Sequence, residues 1–397
     1  MLVATIAGSS RASSQGRAHP GSERLPIFDQ LRAVGAFLVF SYHYNDSVSS
    51  YTCCQGWLDG LEWVIRRVGA LGTNLLLLIS GYFVAISMSK GRETYSRFVL
   101  MRLARIYLPY VFVLLPVAAV KSYLSQSNSA DARGDGLLLL SSVFQNLVLI
   151  PGLFPERPIL TVTWTLSLIV AGYVTLPWIY IAMRKLNLSG RQRLAVWVAA
   201  TGSGVACASL NFLSPRICYI LLGCLLAECQ RSLVISSRRR FLVRALTLAA
   251  CVGAAIWFLP DRRIPGLENN ILNHFTIYSG GLLLIAVTVA LGIVLERRYN
   301  LHQRIPSLRH VCAFGKTGYS FYLLHGPVIW VFSQVAISRL EGAQASAISY
   351  WCIMPLCFLA CAISARLMYV YVELPWREQL SIWESIAVRR SSLKFSS

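Results

Sequence analysis

Acidic residues are scarce in this chain: 17 Asp and Glu stand against 37 Lys and Arg in 397 residues, and charge of either sign makes up only 14%. So little charge excludes an ordinary soluble domain, in which roughly a quarter of the residues are charged. Cysteines at metal or redox spacing are also missing. No C-x-x-C occurs among the eleven cysteines, so neither a zinc site nor a redox motif is indicated. The opening apolar run is too short for a signal-peptide core, and no repeat relates the two halves.

What is present is apolar. Hydrophobic residues make up 55% of the chain and the mean hydropathy is +0.56, values that belong to a polytopic membrane protein. The net charge of +20 falls in short clusters between apolar runs. That pattern argues against a nucleic-acid partner and for topology determinants beside a lipid bilayer. Most cysteines sit inside the apolar runs as small packing residues. Cys53 and Cys54, expected just outside the first helix, form the one pair placed for disulfide chemistry.

Apolar runs long enough to cross a bilayer lie near 31–51, 69–88, 99–120, 160–183, 194–212, 216–234, 242–259, 275–295, 312–337 and 347–371. A further run, 137–150, is short. If it enters and returns, or lies at the interface, the basic clusters at 90–105, 184–193, 231–244 and 297–309 all face the cytoplasm; if it crosses, they do not. The expected fold is therefore all-α: a membrane helix bundle of about ten transmembrane helices plus one re-entrant or interfacial segment, with both termini cytoplasmic. Residues 1–27 are expected to form a disordered arm, 28–376 the membrane domain and 377–397 a short tail.

Arg32 and His43 lie in FDQLRAVGAFLVFSYHY, the first expected span. Eleven residues are close to three helical turns, so the two share a face about 16 Å apart along the axis. An ionisable residue at that depth is costly unless it lines a polar cavity. His43 can simply bond to a neighbouring helix, or act as general base or nucleophile, with Asp46 at i+3 placed to orient the imidazole.

Other polar residues offer similar choices. Ser80 and Gly81 suit close helix packing or a narrow passage beside the first helix. Arg102 and Arg105 suit anchoring to anionic lipid or bidentate binding of the phosphates of a soluble cofactor. Trp164 and Ser167 open the fourth span after a Pro-rich approach, Pro151 to Pro158, as an interfacial anchor or a cavity mouth. Tyr319, Ser320, Tyr322 and His325 form a polar patch in an apolar helix kinked at Pro327. His325 either caps a polar helix contact or lines the cavity with His43. Glu373 and Arg377 at i+4 read as an ion pair that finishes the last span.

Taken in order, FDQLRAVGAFLVFSYHY, LGTNLLLLISGYFV, RLARIYLPY, TWTLS, YSFYLLHGPVI and YVELPWR resemble the landmarks of the integral-membrane acyltransferase-3 family over about residues 25–380. The first is similar to the family's motif of an Arg and a His separated by ten residues. The resemblance implies His43 as catalytic histidine and Arg32 as motif arginine. It also implies acyl-CoA as the cytoplasmic donor, with no metal, and a glycan or lipid-linked oligosaccharide hydroxyl as acceptor. One departure stands out: where many members carry two acidic residues after the TWTLS-like segment, this chain has Ile169 and Val170. The expected function is a bacterial inner-membrane O-acyltransferase moving acetyl, or succinyl, onto a surface polysaccharide, exopolysaccharide or its precursor. A glycan transporter, or a scaffold among polysaccharide assembly proteins, is the alternative.

Overall fold

The computed structural model describes residues 25–48, 57–91, 94–128, 132–149, 158–232, 249, 252–253, 271–337 and 347–394. Residues 1–24, the Cys53 and Cys54 pair, most of the Pro-rich approach, the basic residues 238–244 and nearly all of the expected span at 242–259 lie outside them. Among the described residues every regular element is helical, as the apolar runs predict: α1 (Ile27–Val48), α2 (Trp57–Ser89), α3 (Tyr95–Asn128), α4 (Ala132–Leu147), α5 (Thr163–Lys185), α6 (Gly190–Ser209), α7 (Ile217–Ser232), α8 (Ile271–Tyr299), α9 (Ser307–Lys316), α10 (Gly318–Phe332), α11 (Ala347–Met368) and α12 (Leu374–Lys394).

The protein is an all-α membrane bundle. Among the described residues five helical stretches are long and apolar enough to cross a bilayer: Glu62–Ser89, Tyr95–Leu124, Thr163–Lys185, Tyr278–Tyr299 and Ile353–Trp383. Of the other expected spans, α7 and α10 have only 16 and 15 residues, α1 and α6 carry many polar side chains, and that at 242–259 lies almost wholly outside the described residues.

Small residues set the tightest crossings. A Cβ on Gly81 of α2 would fall 2.0 Å from the Ile220 carbonyl oxygen of α7, and one on Gly223 would fall 2.1 Å from the Leu78 carbonyl oxygen. The two helices therefore touch backbone to backbone, and each glycine is required by the other chain segment. Gly35 and Gly72 do the same between α1 and α2, and Gly315 of α9 lies against the Asp29 carbonyl. These contacts hold α1 between α2 and α9, with α10 alongside.

The short run before the fourth span becomes α4. With 16 residues against 34 in α3, it reaches only part of the way along its neighbour. Its C-terminus ends on the middle of α3, where the Tyr107 hydroxyl donates to the Leu147 carbonyl (3.0 Å) and that of Tyr110 to the Asn146 carbonyl (2.8 Å). The Tyr110 hydroxyl is also 3.2 Å from Thr163 Oγ1 at the start of α5. Nearby, Leu149 takes a left-handed conformation (φ 58) that turns the chain away. The end of α4 and the beginning of α5 thus meet at mid-depth, and α5 starts where its N-terminal residues can face an interior space.

Candidate active site

A cavity of about 1140 Å³ opens at the basic end of the bundle and runs inward between α1, α2, α3, α5 and α10. Six cations line it, Arg32, Lys90, Arg102, Arg105, Lys316 and Arg377, with Asp29 the single acid among its described lining residues. Four helices and the turn after α2 deliver these charges. Arg32 donates to Asp29 at 2.7 Å, one turn back on α1, and lies over the Phe83 ring at 5.0 Å. Arg102 donates to Ser87 Oγ at 2.9 Å and sits 5.3 Å from the Phe98 ring and 5.7 Å from that of Tyr173. Aromatic faces and one hydroxyl orient this guanidinium. The mouth carries a large excess of positive charge, the condition for binding a polyanion.

Inward, the walls lose their charge. Ser80, Thr165, Gly318 and Tyr319 line the next stretch, and the Tyr319 hydroxyl donates to the Ile106 carbonyl at 2.7 Å. At the inner end stands Tyr322, its hydroxyl beside those of Thr165 and Thr73. Its backbone carbonyl accepts a 2.8 Å hydrogen bond from His325 Nδ1.

That bond fixes the proton of His325. A carbonyl only accepts, so Nδ1 carries the hydrogen and Nε2 holds a lone pair in the neutral ring. Nε2 is buried and without a hydrogen-bond partner among the described residues. The His325 ring stacks on Phe321 and lies 5.2 Å, centroid to centroid, from His43. The two histidines from parallel helices α1 and α10 thus share one small space just past the inner end of the cavity. A neutral imidazole with a free ring nitrogen can act as a base.

The remaining expected residues divide. Trp164 lies at the histidine end, with Arg216 stacked 3.8 Å over its ring. Ser167 is buried and its hydroxyl donates back to the Thr163 carbonyl at 3.0 Å, so it faces its own helix rather than the cavity. Asp46 is half-exposed and accepts from Arg66 of α2 at 3.0 Å, while its charge still acts on His43. Of the small pair in α2, Gly81 serves packing and Ser80 lines the cavity. Glu373 and Arg377 do form the ion pair, and the pair does more than end a helix. A π-helical turn, Tyr369–Glu373, joins α11 to α12 and turns the fully buried Glu373 inward, where it also accepts from Ser320 at 2.5 Å. Arg377 reaches the cavity wall from there.

Reasoning from sequence missed Lys90, Lys316 and Tyr322 as lining residues, and Arg216 altogether. Arg216 carried a usable signal, for it stands apart from the four basic clusters, in the short turn before α7.

A family model described as an acyltransferase domain, acyltransferase 3, matches residues 25–366. The chain belongs to the acyltransferase-3 family. No curated protein and no solved structure gives a match. The match covers the histidine pair and all of the cavity lining but Tyr369 and Arg377, so this acyltransferase-3 protein is a membrane acyltransferase.

Proposed function

We propose that the protein is an O-acyltransferase of the bacterial inner membrane. In this reading it takes an acyl group, acetyl or alternatively succinyl, from cytoplasmic acyl-CoA and esterifies a hydroxyl of a surface polysaccharide, exopolysaccharide or lipid-linked precursor. The observation that carries it is the cavity whose mouth holds six cations and whose inner end stops beside two histidines. A nucleotide with several phosphates matches the mouth, through bidentate Arg contacts. The thin thioester arm of the same donor matches the uncharged inner stretch.

Arg32, Arg102 and Arg105 hold the donor's phosphates, helped by Lys90, Lys316 and Arg377. The donor arm passes Ser80 and Tyr319 and brings its thioester carbonyl to the inner end. There His43 takes the proton of the acceptor hydroxyl as that oxygen attacks the carbonyl carbon; the C–O bond forms, the C–S bond breaks, and the proton passes to the departing thiolate. A variant of the path has His43 take the acyl group before the acceptor does. His325, its ring 5.2 Å from that of His43, lines the reacting imidazole's side of the site. Asp46 and Arg216 set the charge around it. The basic mouth faces the cytoplasm, as do both termini, and the histidine end faces outward, where acceptor arrives.

The test is the O-acyl content of surface and secreted polysaccharides, by NMR and mass spectrometry, in a deletion strain carrying wild type or His43→Ala. One ester lost on deletion and restored only by wild type is the expected result. Restoration by the variant at normal protein level overturns the catalytic role of His43 and favours a glycan transporter or assembly scaffold.

A further inference from the structure

Arg216 is a cation without an acid. It occupies the turn before α7, its guanidinium 3.8 Å above the Trp164 ring. Among the described residues no carboxylate lies within ion-pair distance of it, whereas Arg32, Arg66, Arg193, Arg231 and Arg377 each have one. Its electrostatic neighbours are the hydroxyls of Tyr322, Tyr42 and Tyr219, and its charge acts on His43. It keeps solvent access. The acid closest in sequence to His43, Asp46, is taken up by Arg66 at 3.0 Å.

A second observation concerns the imidazole next to His43, on which the Arg216 charge acts. His325 Nε2, on a side chain with 0% exposure, has no hydrogen-bond partner among the described residues, and its ring lies 5.2 Å from that of His43. A buried acceptor of this kind is costly to leave unmade, and a ligand hydroxyl satisfies it. The histidine end therefore combines an oriented planar guanidinium on an aromatic platform with an acceptor for a hydroxyl. The guanidinium fork matches two oxygens of a carboxylate or phosphate, and stacking on Trp limits the rotamer freedom lost on binding.

We propose that Arg216 and Trp164 form an anion subsite that holds a carboxylate or phosphate on the acceptor glycan, next to the hydroxyl that is acylated, so that the enzyme selects acidic over neutral sugars. The proposal rests on the transferase reading for the word acceptor; the anion site itself does not. It is separate from the six cations of the donor mouth, which lie at the other end of the cavity.

The experiment uses the full chain in phosphatidylcholine nanodiscs, with methyl β-glucuronide and methyl β-glucoside as matched probes read by saturation-transfer NMR, and free CoA from acetyl-CoA measured separately by chromatography. Wild type should bind the glucuronide about tenfold or more tightly than the glucoside. Arg216→Gln should abolish the difference, Arg216→Lys should retain part of it, and Arg304→Gln, at an exposed site near α9, should leave it intact. Equal binding of the two probes by wild type overturns the subsite without recourse to any variant. Loss of glucuronide binding when phosphatidylglycerol replaces phosphatidylcholine assigns Arg216 to a lipid headgroup and likewise overturns it. Probe preference with no CoA release under any acceptor leaves the subsite standing and removes the transferase reading. CoA release that glucoside and glucuronide stimulate equally does the reverse.

Discussion

The two ends of the cavity work by different physics. At the mouth, six cations face a single acid, and four helices share the task, so no one side chain is indispensable for attracting a polyanion. At the inner end the decisive groups are two imidazoles 5.2 Å apart, one held in its tautomer by a single 2.8 Å hydrogen bond to a backbone carbonyl. Binding by excess charge tolerates substitution; a proton-transfer pair does not. Substitutions at the mouth should therefore change KM for the donor, and those at the inner end should change kcat.

The largest effect is expected from His43→Ala, which removes the group that takes the hydroxyl proton in the proposed function. Transfer by the purified protein should fall about 10²- to 10⁴-fold in kcat with donor KM little changed, measured as CoA release dependent on acceptor. The double substitution Arg102→Gln, Arg105→Gln tests the opposite end. Two charge-assisted contacts of about 1.5–3 kcal/mol each, shared with four remaining cations, should raise donor KM about 10- to 100-fold while kcat holds. Donor affinity should also lose part of its salt dependence. A fall in kcat with unchanged KM would erase the distinction between the two ends.

Gly81→Ala addresses the frame that holds both ends. Its Cβ would sit 2.0 Å from the Ile220 carbonyl oxygen, so α2 and α7 must separate. Thermal unfolding in detergent should show a loss of about 1–3 kcal/mol, and Ser80, one residue away, should shift with it. His325→Phe keeps the stack on Phe321 but deletes the imidazole beside His43. Here kcat should drop about tenfold and donor KM should not move.

That Arg32 and His43 sit eleven residues apart on one helix, with Arg32 lining the cavity, was legible in the sequence from helical period alone. The same holds for the Glu373 and Arg377 pair at i+4. What the sequence concealed is long-range: Lys90, Lys316 and Arg377 come from places some 60 to 290 residues apart, and nothing local tells that their charges converge. Ser80 and Gly81 show the difference within two positions. Adjacent small residues point about 100° apart around a helix, so one meets α7 and the other the cavity, and only the packing decides which. The number of spans is hard to read from composition for a related reason. Helices such as α7 and α10 are apolar because the bundle buries them, and burial in protein and burial in lipid leave similar composition.

The smallest effect, and the sharpest on the inner end, concerns Asp46. Sequence spacing placed it one turn from His43 as the carboxylate to orient the imidazole. The structure gives its oxygen to Arg66 at 3.0 Å with more than half of the side chain exposed, and exposed pairs of this kind contribute only about 0–1 kcal/mol. Asp46 thus reaches His43 as a screened charge, while the ring nearest in space among the imidazoles is that of His325. Asp46→Asn should therefore lower kcat by no more than about threefold to fivefold, the size of a 1 kcal/mol effect, and Arg66→Gln should change it by a similarly small factor. A loss comparable to that of His43→Ala would show that the carboxylate turns from Arg66 to the imidazole during turnover, and would assign it the orienting role.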